Sequence, residues 1–151
     1  MIENSAGGKL QGRTFVTRNS PFAHSIPTAY RIFRRFIMDK EIVMYVRSFY
    51  CPTVALARDV LNRYHIPYRE IDIDADPEMA RRVKEWTNHL SVPTIVLANP
   101  GEDTPCTDFL PRPTDRSIKG FDRGPMITEP NNRALENWLH KHGFLDKPYS
   151  R

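Results

Sequence analysis

The cysteines are the residues of this sequence whose type and position point most directly to chemistry. Of the two in the 151-residue chain, Cys51 follows an apolar run at residues 42–46 and precedes a segment with helical spacing. The thiolate, rather than the neutral thiol, is the nucleophile. A sulfur at a helix N-terminus lies beside unpaired amides and the positive end of the helix dipole, which favour the anion. Cys51 is therefore the predicted catalytic nucleophile.

The residues around Cys51 are predicted to activate it. Pro52 suits the first helical turn because its missing N–H would be unpaired there anyway. The amides of Thr53 and Val54 are expected to face the sulfur, and Arg47 adds a positive charge if it points along the same edge. The alternative is a buried structural thiol, since free cysteines are often buried.

The spacing of apolar residues predicts the elements that position this thiol. Strands are expected at residues 42–46, 67–74, 94–98 and 125–129. Helices are expected at residues 53–64, from a cap at Asp76 to about Asn88, and from a cap at Asn131 or Asn132 to Gly143, with Leu56, Val60 and Leu61 on the apolar face of the first. A helix between the first two strands favours parallel pairing, and the last strand suits an antiparallel hairpin with the third. The predicted fold is α/β, in the order β-α-β-α-β-β-α, with a mixed four-stranded sheet flanked by helices.

The composition argues against a membrane protein, a disulfide-rich protein and a nucleic-acid-binding protein. No apolar run approaches the roughly 18 residues that span a bilayer, so no membrane span is predicted. Two cysteines do not make a disulfide framework, which favours a reducing, cytoplasmic compartment. Residues 1–37 hold six basic side chains against Glu3, whereas the rest of the chain holds 16 basic and 17 acidic. The pI near 9.2 thus belongs to the N-terminal arm and does not indicate nucleic-acid binding. The histidines show no spacing typical of a metal site.

The arm divides the chain into two predicted parts, an N-terminal basic extension at residues 1–38 and a domain at residues 39–151. Three interpretations of the extension stay open: a disordered tail or upstream sequence, a short basic amphipathic helix that packs on the domain or an anionic surface, and an organelle presequence. The last would replace the cytoplasmic location with an organelle.

Three segments together resemble the glutaredoxin branch of the thioredoxin superfamily. They are the Cys-Pro-Thr-Val motif at residues 51–54, the segment Ile-Pro-Tyr-Arg-Glu-Ile-Asp-Ile-Asp at residues 66–74, and Ser-Val-Pro at residues 91–93. The resemblance implies a thioredoxin-like fold and a thiol–disulfide oxidoreductase that forms mixed disulfides with disulfide-bearing proteins or with glutathione as a possible co-substrate. No other cofactor is required.

The resemblance also implies a substrate groove. Val92 and Pro93 correspond to the cis-proline loop, whose backbone pairs with the substrate chain, and Tyr50, Asn131 and Asn132 are further candidates for substrate or glutathione binding. Val54 stands where glutaredoxins carry the resolving cysteine, so the cycle is expected to be monothiol. Departures include the absence of the family's lysine before the cysteine and of its Gly-Gly-x-Asp turn.

The long loop at residues 99–124, hereafter the insertion, has no counterpart in a minimal glutaredoxin and contains Cys106, a candidate resolving thiol. Its Phe109 and Phe121 are expected either to cover the thiol site or to anchor the loop. Two other functions stay open: a redox-inactive module that binds a peptide or protein, and a carrier that shares an iron–sulfur cluster across a dimer. The sequence does not predict an oligomeric state.

Overall fold

The structure is a computed structural model that describes residues 39–147. Four strands and three helices follow one another in the predicted order. The strands are β1 (Glu41–Val46), β2 (Tyr68–Asp72), β3 (Thr94–Ala98) and β4 (Met126–Thr128), and the helices are α1 (Pro52–Arg63), α2 (Pro77–Thr87) and α3 (Asn132–Lys141). The N-terminal extension predicted at residues 1–38 lies outside the described residues.

The strands form one mixed sheet in the spatial order β2-β1-β3-β4. β1 pairs in parallel with β2, with Tyr45 opposite Ile71. On its other side β1 pairs antiparallel with β3, with Tyr45 opposite Thr94, and β3 pairs antiparallel with β4. The predicted parallel pair and the predicted hairpin are both confirmed, and with them the thioredoxin-like α/β fold class.

The two central strands, β1 and β3, form the middle of the core. All five residues of β3 and the last five of β1 are buried, whereas the edge strand β2 is mostly half-buried. Continuous burial explains why β1 and β3 are apolar runs rather than alternating sequences, since a strand covered on both faces has no polar side. The largest fully buried side chains include Trp138, Tyr45, Ile42, Met44 and Leu61.

Helix α1 buries two of the three residues predicted for its apolar face, Val60 and Leu61. Its buried residues are Val54, Ala57, Val60 and Leu61, which recur at the three- to four-residue spacing of one helical face. Leu56 was predicted to lie on this face but is 44% exposed, so that prediction was wrong. The correction matters for the site because Val54, at 3% exposure, points into the core.

The helix starts follow the local chemistry of the sequence. Asp76 caps α2 by accepting hydrogen bonds from the amides of Glu78 and Met79, both at 3.1 Å, and Pro77 occupies the first turn. For α3 the cap is Asn131, which accepts from the Ala134 amide at 2.8 Å. The choice between Asn131 and Asn132 is thereby decided in favour of Asn131.

The insertion contains no helix or strand and is held by a buried arginine. Arg123, 2% exposed, donates to the carbonyl oxygens of Leu110 and Trp86, each at 2.7 Å. Its guanidinium also lies 4.7 Å from the centre of the Phe109 ring. Phe109 in turn meets Trp86 edge to face, so this ring anchors the insertion to α2.

Candidate functional site

Cys51 is the N-cap residue of α1. Its backbone is extended, with φ −129° and ψ 120°, and its carbonyl accepts the first helical hydrogen bond from the Ala55 amide at 3.0 Å. Pro52 takes the first helical position, as predicted from its missing N–H. The half-buried thiol is therefore held at the positive end of the helix dipole.

Two oxygens lie close to the sulfur. The Thr53 hydroxyl is 3.0 Å from Cys51 Sγ, and the carbonyl oxygen of Val92 is 3.8 Å away. Thr53 Oγ1 also lies 3.3 Å from that carbonyl. The peptide bond between Val92 and Pro93 is cis. The proline loop and the start of α1 thus face each other across the thiol.

The pKa of the Cys51 thiol is lowered by its surroundings. Burial, the largest single influence, raises it, and the carboxylate of Glu129 raises it slightly. The Thr53 hydroxyl and the main-chain amides of Val54 and Thr53 together outweigh both. These donors belong to the start of α1, and hydrogen bonding to the charged form of a group favours that form. The thiolate fraction at neutral pH is therefore increased.

The thiol opens into a cavity of about 640 Å³. One wall comes from the residues around the sulfur and the proline loop. Another wall comes from the insertion, but Phe109 and Phe121, the residues of the insertion that were considered as a cover for the thiol, are not among the lining residues. The lining includes Arg47, Phe49, Arg112, Ile118, Lys119 and Glu129. A volume of this size is typical of sites that bind small molecules.

An ion pair beside the thiol was not predicted from sequence. Lys119 Nζ lies 2.8 Å from Glu129 Oε2, and the pKa of Lys119 is raised by Glu129 first and also by the charge of Cys51. The Glu129 amide donates to the Pro93 carbonyl at 2.7 Å, which ties the pair to the proline loop. The pairing of the β3–β4 hairpin could have indicated the position of Glu129. Thr128 lies opposite Thr94, so Glu129 lies near Pro93.

The backbone of the insertion continues the sheet at this point. Lys119 forms an isolated parallel bridge with Thr128, and the Gly120 amide donates to the Thr128 carbonyl at 2.7 Å. Gly120 has φ +69°, a left-handed conformation that glycine adopts without steric cost. This contact fixes the end of the insertion against the thiol site.

Arg47 lines the cavity but has a carboxylate partner of its own. Its guanidinium lies 2.8 Å from Asp74 Oδ1 and 4.8 Å from the centre of the Phe49 ring. The groups that shift the pKa of Cys51 do not include Arg47. The side-chain hydroxyl beside the sulfur is that of Thr53, at 3.0 Å, and a role for Arg47 in activating Cys51 stays a prediction.

The predicted substrate-binding residues lie in three different settings. Val92 and Pro93 face the sulfur, as described above. Tyr50 precedes it and is 79% exposed. The side chain of Asn131 is used to cap α3, whereas Asn132 Oδ1 is buried without a hydrogen-bond partner among the described residues. The structure thus places the proline loop at the thiol, leaves the Tyr50 side chain exposed and gives Asn131 a structural contact.

Cys106 lies near the opposite end of the sheet. Its amide donates to the Leu97 carbonyl at 2.8 Å, and Leu97 pairs with Ile42 at the start of β1, whereas Cys51 follows the end of that strand. At about 3.3 Å per residue, the three steps from Thr94 to Leu97 span about 10 Å. Bridged cysteines have Cα atoms at most about 7 Å apart. A disulfide between Cys51 and Cys106 would therefore require the insertion to move.

Within residues 39–147 no group of three or more His, Cys, Asp or Glu side chains is arranged to hold a metal ion. None of the helices in that part of the chain is long and apolar enough to cross a membrane.

One protein family matches the part of the chain that contains the thiol site. The glutaredoxin family model matches residues 42–99, which run from β1 through the thiol and the cis-proline to the residue after β3. This region is therefore similar to the glutaredoxins, a family whose members are typically thiol–disulfide oxidoreductases that use glutathione. The match ends where the insertion begins. No curated protein matches the chain.

Proposed function

We propose that this protein is a glutaredoxin-type thiol–disulfide oxidoreductase that works by a monothiol mechanism through Cys51. The observation that carries the proposal is the position of its sulfur. Cys51 Sγ lies at the start of α1, opens into a cavity and faces the Val92 carbonyl before the cis-proline at 3.8 Å.

The first chemical step is attack of the Cys51 thiolate on a substrate disulfide. A bond forms between Sγ and one substrate sulfur, the substrate S–S bond breaks, and the other substrate sulfur leaves as a thiolate that takes a proton from water. Thr53 assists by donating its hydroxyl to the anionic sulfur at 3.0 Å. Once it does so, the Val92 carbonyl loses that donor and is free to accept a hydrogen bond from the substrate backbone.

The second step requires a thiol from outside the chain. Val54 occupies the position of a resolving cysteine and points into the core, and Cys106 lies near the other end of the sheet. A small thiol, glutathione or one of its class, therefore attacks the mixed disulfide. This step releases the Cys51 thiolate and gives a new disulfide between the small thiol and the substrate.

Mass spectrometry of the full chain after reaction with glutathione disulfide tests the proposal. The expected product is a single glutathione adduct on Cys51, which forms equally in the Cys106→Ser variant and is lost in the Cys51→Ser variant. Alkylation of Cys51 as a function of pH should show a midpoint below the roughly 8.5 of an ordinary thiol. An unreactive Cys51, or an adduct only on Cys106, would overturn the proposal.

A redox-inactive binding module is the second candidate, favoured by the exposed aromatic side chains that precede the thiol. Phe49 is 56% exposed and Tyr50 more so, and exposed aromatic residues are enriched in protein interfaces. For this function the alkylation midpoint would lie at or above that of an ordinary thiol, and no glutathione adduct would form. The two experiments above therefore separate the candidates.

We also propose a cytoplasmic location, on the ground of the low cysteine content. Imaging of the fluorescently tagged full chain tests it. A signal confined to an organelle, which becomes diffuse when residues 1–38 are deleted, would show instead that this extension acts as a targeting segment.

A further inference from the structure

The charges that line the thiol cavity are not all neutralised. Three strong bases line it, and two of them have acidic partners. Arg47 pairs with Asp74, and Lys119 pairs with Glu129, each at 2.8 Å. Arg112 has no carboxylate partner among residues 39–147, and its side chain is exposed to solvent. The insertion therefore presents one uncompensated cation to the cavity that contains the nucleophile.

The backbone around Arg112 is restrained. Arg112 stands between Pro111 and Pro113, and a residue before a proline is restricted to extended conformations while proline fixes its own φ. Immediately before them, Leu110 exchanges two hydrogen bonds with the buried Arg123. The Leu110 amide donates to the Arg123 carbonyl at 3.0 Å, and Arg123 Nε donates to the Leu110 carbonyl at 2.7 Å. A short stiff segment thus extends from a buried anchor to the cavity.

We propose that the insertion makes the thiol site selective for disulfides that carry a carboxylate, and that Arg112 is the residue that binds this carboxylate. The inference rests on the proposed function and names its substrate class. A guanidinium presents a planar set of donors that binds a carboxylate through two parallel hydrogen bonds. Phe49 and Ile118 line the same cavity and supply apolar contacts for the remainder of the substrate.

Arg112 acts on binding and leaves the chemistry to Cys51. The carboxylate stays intact while Sγ displaces one substrate sulfur. The other substrate sulfur leaves as a thiolate that takes a proton from water. The contribution of Arg112 is to hold the substrate so that the S–S bond lies within reach of Sγ. Two kinds of substrate carry a carboxylate near the disulfide: glutathione disulfide, and a polypeptide with acidic residues beside its disulfide. The last experiment below distinguishes them.

The test compares disulfides of one skeleton that differ in charge. Dithiodipropionate is anionic, hydroxyethyl disulfide is neutral and cystamine is cationic. The rate constant for adduct formation on Cys51 is measured for each with the full chain. Selectivity is the rate constant for the anionic disulfide divided by that for the neutral disulfide. For the unmodified protein we expect this ratio to exceed one. Arg112→Gln should lower this ratio about tenfold, as expected for loss of a charge-assisted contact, and Arg112→Glu should shift the preference towards cystamine.

Arg116 provides the matched control. It is a second exposed arginine of the insertion, does not line the cavity, and pairs with Asp115. Arg116→Gln should leave the selectivity unchanged. The inference is overturned if Arg112→Gln leaves the ratio unchanged or if Arg116→Gln lowers it equally. Absence of an adduct with all three disulfides would instead contradict the proposed function, so the two failures are distinguishable.

A second set of three substrates shows whether the carboxylate belongs to a small molecule or to a polypeptide. Glutathione disulfide is compared with two disulfide-bridged peptides of equal length, one with glutamates and one with glutamines beside the cysteine. An Arg112-dependent preference for glutathione disulfide alone indicates a small-molecule substrate. The same dependence for the glutamate peptide indicates a polypeptide, whereas no dependence in either case overturns the inference.

Discussion

The two cysteines of this protein lie near opposite ends of one sheet and offer an internal comparison. Both are free and half-buried. Cys51 Sγ has a hydroxyl at 3.0 Å, faces a carbonyl and stands at a helix start. Cys106 is held by its backbone amide on Leu97, and its sulfur forms no hydrogen bond within residues 39–147.

The contacts around Cys106 stabilise the fold, whereas those around Cys51 change the chemistry of its thiol. Near Cys106 the contacts are structural: Arg123, Trp86 and Phe109 pack together and anchor the insertion. Near Cys51 the oriented amides and hydroxyl bias one sulfur towards its anion. Similar exposure therefore does not imply similar reactivity, since the pKa of a thiol depends on the donors directed at it.

Replacing each cysteine by serine should show the largest difference between the two thiols. Cys51→Ser should abolish the glutathione adduct, because serine supplies no thiolate, whereas Cys106→Ser should retain the unmodified rate. Mass spectrometry of both variants under identical conditions measures the effect. An equal loss in the two variants would mean that both thiols take part in the cycle.

The largest effect on stability is expected at the structural end of the sheet. Arg123→Met should lower the free energy of unfolding by about 2–4 kcal/mol, because the carbonyls of Leu110 and Trp86 lose their donor in a buried position. Urea denaturation measures the change. Arg116→Met, at an exposed arginine of the same insertion, should change the stability by less than about 0.5 kcal/mol. Similar losses in both variants would refute the anchoring role of Arg123.

The Thr53 hydroxyl should have a smaller effect that is confined to the reactive end. Thr53→Val removes a donor that lowers the pKa of Cys51, so this pKa rises and less thiolate is present at neutral pH. The alkylation rate at neutral pH should fall roughly three- to tenfold, the range expected for one hydrogen bond to a charged group at a half-exposed site. The pH at half-maximal rate should rise.

Thr107 supplies the control for Thr53, because it is the threonine next to the other cysteine. Thr107→Val should leave the pH profile of Cys51 unchanged. An unchanged profile in Thr53→Val would show that the main-chain amides alone account for the lowered pKa.

The carboxylate of Glu129 should have the smallest effect, with the opposite sign. Glu129 raises the pKa of Cys51, so Glu129→Gln should lower that pKa and increase the alkylation rate at neutral pH about twofold, a magnitude typical of one partly screened charge. Release of Lys119 from its ion pair acts in the same direction. Glu102→Gln, at the other end of the sheet, serves as control, and a slower reaction in Glu129→Gln would contradict the assigned electrostatics.

The fold was predictable because its signals are local. The continuous apolar runs of β1 and β3 indicate central strands, and Asp76 followed by Pro77 marks a helix start. Leu56 was misassigned because several helical faces satisfy the apolar spacing of this segment, and only packing on the sheet selects the face with Val54 and Ala57. The end of β2 at Asp72, two residues short of the prediction, follows from a turn that period-two alternation does not reveal.

The candidate site was partly predictable for the same reason. Cys51, Pro52, Thr53 and Val54 are consecutive residues, so their arrangement follows from the start of one helix. Lys119 and Glu129 come from different segments, and their distance depends on how the insertion folds back. Arg47 was predicted to add a positive charge if it points along the edge of Cys51, and the sequence pattern did not reveal that its guanidinium pairs with Asp74, two residues after β2.

The amino-acid sequence alone therefore determined the order of the elements and the helix start that carries the nucleophile, because both depend on residues that are neighbours along the chain. Only the tertiary structure decided that Thr53 meets the sulfur together with Val92, that Cys106 is held apart from it, and that the insertion forms a wall of the cavity with Arg112. These relations join residues distant in sequence, and the packing of the sheet and the buried contacts of Arg123 create them.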